Sequence, residues 1–223
     1  MITQISDQRE LQSSPESSLP SFPFLDLRAQ FAEIRDELVD AVIGVLESQH
    51  FILGPEVETL EREVAEYVGA EFAIGCGSGS DALLLAQMAL GIEPDDEIIT
   101  SPFTFGATAG SIARLKARPV FVDIHPDTFN IDERQLESVI TPRSRAIMPV
   151  DLFGLPANMD VVLDIARKHN LAVIEDAAQA IGARWKQRRV GSLGTLAARS
   201  SIVATNLARI SPKSPSTGAV AAT

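Results

Sequence analysis

Residues 172–180 read AVIEDAAQA, an apolar run of strand length that ends in two adjacent carboxylates and is followed by small residues. A strand sends successive side chains to opposite faces, so Glu175 and Asp176 diverge and only one can meet a given ligand. The run follows a stretch with helical spacing near residues 158–169. Four earlier apolar runs share its character: EFAIG (71–75), EIIT (97–100), PVFVDI (119–124) and AIMPV (146–150). Helical patterns separate them near residues 81–90, 106–116 and 132–140. Strands alternating with helices predict right-handed crossovers and an α/β fold, a mostly parallel sheet with helices on both faces.

Upstream, Leu27, Phe31, Ile34, Leu38, Val42 and Val45 keep a helical period, and Val57, Leu60, Val64 and Val68 repeat it after the Gly54-Pro55 break. Two amphipathic helices are expected to precede the alternating region. Residues 1–22, rich in Ser, Pro, Gln and Glu, read as a mobile segment.

A formal net charge of −11, with no basic stripe interleaved with aromatics, disfavours nucleic acid as a partner. No apolar run reaches membrane-spanning length and no basic-then-apolar leader opens the chain, which predicts a cytoplasmic protein with no membrane contact. Cys76 is the single cysteine, and His50, His125 and His169 lack ligand spacing, so neither a disulfide framework nor a metal site is expected. The charge is unevenly spread. After Asp176 there is no acid, while Arg184, Lys186, Arg188, Arg189, Arg199, Arg209 and Lys213 make seven positive charges.

In parallel sheets ligands sit beyond the carboxyl ends of the strands, and three segments place chemistry there. GCGSGSDALLL (75–85) joins a strand to a helix start. Its glycines admit close backbone approach, and the free N–H groups with the Ser80 hydroxyl suit a phosphate, the alternative being a tight turn in which Ser80 caps the helix. Cys76 in this loop reads as a packing residue, no histidine being placed to activate it. In SPFTFGATAG (101–110), Phe103 and Phe105 follow a strand, where an aromatic can stack on a flat ring or join the core. The third is Glu175-Asp176. A carboxylate against a heteroaromatic nitrogen would hold that nitrogen protonated.

Taken together, GSGSDAL (77–83), the aromatic in SPFTFGATA, the PVDLFG turn (149–154) and IEDAAQAIGA (174–183) resemble, in order, the DegT/DnrJ/EryC1/StrS family of pyridoxal-phosphate-dependent sugar aminotransferases. The similarity runs from about Phe24 to Ser200. It implies the large domain of a fold-type I aminotransferase. On that resemblance Gly79 and Ser80 hold the cofactor phosphate, with Ser200 a further phosphate contact. Phe105 stacks on the ring, and Asp176 pairs with the pyridine nitrogen. Gln179, one helical turn further on, lies near the ring and its phenolic oxygen. The implied cofactor is pyridoxal 5'-phosphate. The implied reaction moves an amino group, from glutamate, to a keto group of a nucleotide-linked deoxysugar, within a homodimer whose active sites lie at the interface. A protonated pyridinium accepts the electrons released when the substrate Cα–H bond breaks, which accounts for a negative charge at the end of a buried strand.

The resemblance departs at the tail. The family carries a Schiff-base lysine five residues after a phosphate-binding serine, and here S200-S-I-V-A-T205-N-L keeps the serine, Asn206 and Leu207 but has Thr205 in place of the lysine. An alcohol cannot form an imine. Lys213 falls eight positions late and Lys186 lies in the hairpin-like RWKQRR segment. The expected organisation is a mobile segment over 1–22, an incomplete large domain over 23–200 without the small C-terminal domain, and an aberrant basic tail over 201–223. Such a pattern is that of a truncated or frame-shifted product, with a degenerate paralogue or a sequence error as alternatives. Two other functions follow: a non-catalytic remnant that still binds pyridoxal phosphate, and a Rossmann-like nucleotide-binding domain. The second rests only on G75-x-G77-x-x-S80, whose last glycine is a serine and whose nearby acids Asp95, Asp96 and Glu97 precede the next strand.

Overall fold

The computed structural model describes residues 25–199 in full and residues 202–205 as backbone. The expected mobile segment over 1–22 and most of the basic tail lie outside the described residues. The chain divides into two units, Met1–Phe51 and Ile52–Thr223.

In the first unit, helix α1 (Leu27–Ser48) starts where the Asp26 carboxylate accepts the N–H groups of Arg28 and Ala29 at 3.1 and 3.0 Å. None of its residues is buried, and Phe31, Ile34, Leu38 and Val42 are exposed.

In the second unit, α2 (Pro55–Val68) begins with a proline in its first turn and ends on Gly69, whose φ of 76° completes a left-handed cap. Strands and helices then alternate: β1 (Phe72–Gly75), α3 (Gly79–Ala89), β2 (Glu97–Thr100), α4 (Gly106–Arg114), β3 (Arg118–Phe121), β4 (Ser144–Ile147), α5 (Met159–His169) and β5 (Ala172–Asp176). A two-stranded hairpin, β6 (Arg184–Trp185) with β7 (Arg188–Arg189), precedes β8 (Leu196–Arg199) and β9 (Ile202–Thr205).

Seven strands form one sheet in the order β1-β9-β8-β5-β4-β2-β3. The pairs from β3 through β2, β4 and β5 to β8 are all parallel, and β9 runs antiparallel to both β8 and β1. The mostly parallel expectation holds; the reversed β9 is an addition. Two residues separate Arg199 from Ile202, far too few for a parallel crossover, so antiparallel pairing is the arrangement left to it. Strands β8 and β9 went unread: LAAR lacks the β-branched and aromatic residues that mark a strand, and IVAT, which has them, falls in the stretch expected to be tail.

The sheet is covered on both faces. Ile98 packs with Ile112, Met148, Ile174 and Leu196 beside α3 and α4, while its neighbour Ile99 packs with Ile147, Val173, Met159 and Val162 beside α5. Alternation along each strand sorts the two cores. The helix expected over 132–140 is instead a 3-10 helix, Glu133–Val139, capped by the Asp132 carboxylate. Parallel pairing brings the carboxyl ends of β2, β4 and β5 to one edge, with Thr104 and Phe105, Asp151 and Asp176 just beyond them.

Candidate functional site

At that edge lies a cavity of about 140 Å³ lined by Thr104, Phe105, Val150, Asp151, Leu152, Asp176, Ala178 and Gln179. A larger depression of about 740 Å³ runs beside α5 and is lined by Asp160, Asp164, Arg167 and Arg188 among others. It lies beside the amino end of β5, at Asn170, Leu171 and Val173, away from the carboxyl ends where ligands of parallel sheets bind, and none of the described candidate site residues lines it. The small cavity is therefore the candidate site.

Asp176 and Glu175 diverge as strand alternation requires. Asp176 is 5% exposed and its Oδ2 accepts from the Thr108 hydroxyl at 2.7 Å. Burial pushes its carboxyl above the usual range, opposed by the hydrogen bonds from Thr108 and the Ala178 N–H. Glu175 is fully buried on the other face, its two oxygens accepting the N–H groups of Gly191, Leu193 and Gly194 at 2.8, 2.7 and 2.6 Å. Of the two acids, only Asp176 reaches the cavity.

Phe105 caps the start of α4 and is 77% exposed, so it lines the cavity and does not join the core. Phe103 instead packs on Phe129, ring centroids 5.8 Å apart. Gln179 accepts the Phe153 N–H at Oε1, 2.9 Å away, which leaves its Nε2 as a donor. The expectation that it lies one helical turn beyond Asp176 is corrected: residues 177–183 form successive turns, with Ala180 N–H bonded to the Ala177 carbonyl and Ala183 N–H to that of Ala180, both at 3.1 Å.

Gly79 and Ser80 open α3 in its first turn. The capping hydroxyl is Ser78, not Ser80: its Oγ accepts the Asp81 N–H at 3.1 Å and donates to the Asp81 carboxylate at 2.9 Å. The Ser80 side chain is thereby released from the capping role that one reading gave it. Cys76 packs against the α3–α4 core, and burial, its largest influence, raises its thiol, the reverse of what a nucleophile needs. Ser200 lies outside the described residues. Thr205 is described as backbone only, in β9, where it pairs with Phe72 and Leu196.

Three neighbours of the cavity went unread in the sequence. Thr104 and Thr108 are four residues apart across the start of α4, and their hydroxyls lie 2.8 Å apart. Asp151, fully buried, stands four residues beyond β4, where its N–H reaches the Asp176 carbonyl at 3.0 Å, and an acid directly after the apolar run AIMPV was the available signal. Its Oδ1 accepts the Ala157 N–H at 2.9 Å, and its buried Oδ2 has no hydrogen-bond partner. Burial first, then the neighbouring Glu175 and Asp176 charges, hold its carboxyl well above the usual range. Arg199, also buried, is the cation of this group; one guanidinium nitrogen donates to the Val190 carbonyl. Among the described residues no helix is long and apolar enough to cross a membrane, and no cluster of three or more His, Cys, Asp or Glu could hold a metal ion.

The model of the DegT/DnrJ/EryC1/StrS aminotransferase family matches residues 32–208. A pleiotropic regulatory protein of Geobacillus stearothermophilus is 50% identical over 185 residues, which are 83% of this chain and 50% of that one. The UDP-2-acetamido-2-deoxy-3-oxo-D-glucuronate aminotransferase of Pseudomonas aeruginosa is 49% identical over 177 residues, 79% of this chain and 49% of that one. Among solved structures, DesV of S. venezuelae in complex with a ketimine intermediate superposes with a TM-score of 0.81 at 40% identity, covering 86% of this chain and 55% of that one. The chain spans about half the length of the curated relatives it matches.

Proposed function

The chain belongs to the DegT/DnrJ/EryC1/StrS aminotransferase family, and from that premise we propose that it is large-domain sequence of a pyridoxal-phosphate-dependent nucleotide-sugar aminotransferase. In this reading residues 23–200 are the large-domain portion. An amino-acid donor, a nucleotide-linked keto-deoxysugar acceptor, a homodimer and a cytoplasmic location are taken from the family resemblance. The observation that carries the reading is Asp176, buried at the end of β5 with its carboxylate at a cavity walled by the exposed Phe105.

The residues suit the group. Two of the acceptor sites of the Asp176 carboxylate are taken by Thr108 and the Ala178 N–H, and the rest can receive a ring N–H. Phe105 offers a ring-sized apolar face, the N–H groups at the start of α3 suit a phosphate, and Gln179 Nε2 is a donor for a phenolic oxygen. When bound, pyridoxal phosphate supplies an electron sink for charge developing at the substrate Cα. Asp176 keeps the ring nitrogen protonated, which is what makes that sink effective.

Thr205 favours a second reading, a pyridoxal-phosphate-binding chain without lysine chemistry. Equilibrium dialysis with pyridoxal phosphate, borohydride reduction and a turnover assay separate the two. Retention lost on Asp176→Ala supports the site. Turnover supports the enzyme; retention with neither turnover nor a borohydride-fixed adduct supports the second reading. A chain that retains no pyridoxal phosphate defeats both, and saturable NAD binding in its place would favour the nucleotide-binding alternative.

A further inference from the structure

A carboxylate can only accept hydrogen bonds, and a threonine hydroxyl carries one proton. Thr108 Oγ1 stands 2.7 Å from Asp176 Oδ2 and 2.8 Å from Thr104 Oγ1. With Asp176 ionised, the Thr108 proton is committed to Asp176, so Thr108 must accept from Thr104, whose proton is committed in turn. The row has a single polarity, Thr104 to Thr108 to Asp176.

Thr108 is itself held from behind. It is fully buried, and its backbone carbonyl accepts from the Ser111 hydroxyl at 2.9 Å. Ser111 Oγ accepts from Gln87 Nε2 at 2.7 Å, and the same nitrogen donates to the Leu83 carbonyl at 2.9 Å. Gln87 and Leu83 belong to α3, the helix whose first turn is the phosphate candidate, and Thr108 and Ser111 belong to α4. One buried chain thus connects α3, whose first turn is the phosphate candidate, to the carboxylate at the cavity.

We propose that Thr108 is a positioning residue for Asp176: its hydroxyl pins Oδ2, so that the rest of the carboxylate is turned to receive the ring N–H of a pyridine ligand. This rests on the pyridoxal-phosphate reading above and adds a residue to it. The row also leaves Thr104, at the cavity wall, with acceptor lone pairs only.

The test compares two ligands by equilibrium dialysis on the full chain: pyridoxal phosphate and its 1-deaza analogue, in which a ring C–H replaces the nitrogen. Thr108→Val removes the hydroxyl at nearly constant shape. It is expected to weaken pyridoxal phosphate roughly tenfold, the usual effect of losing one hydrogen bond to a charged group, and to change the deaza analogue by less than about twofold. Thr108→Ser, which keeps the hydroxyl, is expected to restore most of the affinity. Equal losses for both ligands would assign Thr108 a purely structural role and overturn the proposal, as would an unchanged affinity for pyridoxal phosphate. Should Thr108→Val not fold, Thr108→Cys offers similar bulk with only a weak S–H donor and makes the same comparison. Failure of the underlying reading shows separately, in the unsubstituted chain: no binding of pyridoxal phosphate, or no preference for it over the deaza analogue, removes both that reading and this inference.

Discussion

The carboxylate of Glu175 accepts the backbone N–H of Gly194 at 2.6 Å, on the face of β5 opposite Asp176. It also takes the N–H groups of Gly191 and Leu193, so one side chain closes the loop that delivers the chain to β8. Gly194 permits this approach: a Cβ there would stand 2.8 Å from the Val173 carbonyl oxygen. Glu175→Gln turns an amide donor toward backbone donors and is expected to destabilise by about 2 kcal/mol. Gly194→Ala is expected to cost about 1–3 kcal/mol through backbone displacement. Urea unfolding checks both, and midpoints unchanged in both variants would contradict this account of the loop.

Asp151 should make stability decline as pH rises. Its carboxyl is raised well above the usual range when folded, chiefly by burial, while in the unfolded chain it ionises near ~4. Between those two points the native state holds the extra proton, so the stabilisation is complete below the unfolded pKa and is lost as pH climbs through the folded one. Asp151→Asn keeps the acceptor for the Ala157 N–H and removes the ionisation. Urea midpoints measured from mildly acidic to alkaline pH should fall less steeply in the variant, the residual slope coming from Glu175 and Asp176, whose carboxyls are raised as well. An identical slope would show that Asp151 is ionised in the fold.

Phe105 separates a site residue from a core residue. At 77% exposure it contributes little packing, so Phe105→Ala should shift stability by less than ~0.5 kcal/mol. Pyridoxal phosphate affinity should fall about fivefold, or ~1 kcal/mol, through the lost aromatic face. Thermal unfolding and dialysis on the same preparation give both numbers. A large loss of stability, or intact affinity, would take Phe105 out of the site.

The local sequence determined the elements whose signal is periodic or terminal. Apolar runs of strand length alternating with helical spacing specified the α/β class and the ends of β2 and β5, because side-chain period is a property of the chain itself, whereas the run AIMPV overshoots the end of β4 by three residues. The divergence of Glu175 and Asp176 followed from the same period. What lay beyond reach were relations between residues distant in the chain. That LAAR is a strand depends on β5 lying beside it, about twenty residues earlier. Thr108 meets Asp176 across 68 positions, and the charges of Glu175 and Asp176 add to burial in raising the Asp151 carboxyl only because adjacent parallel strands end together. Hydrogen-bond polarity and desolvation act over a few ångströms of space, whatever the separation along the chain, so the alternation that builds the sheet is written locally and the chemistry at its edge is decided by which strands become neighbours.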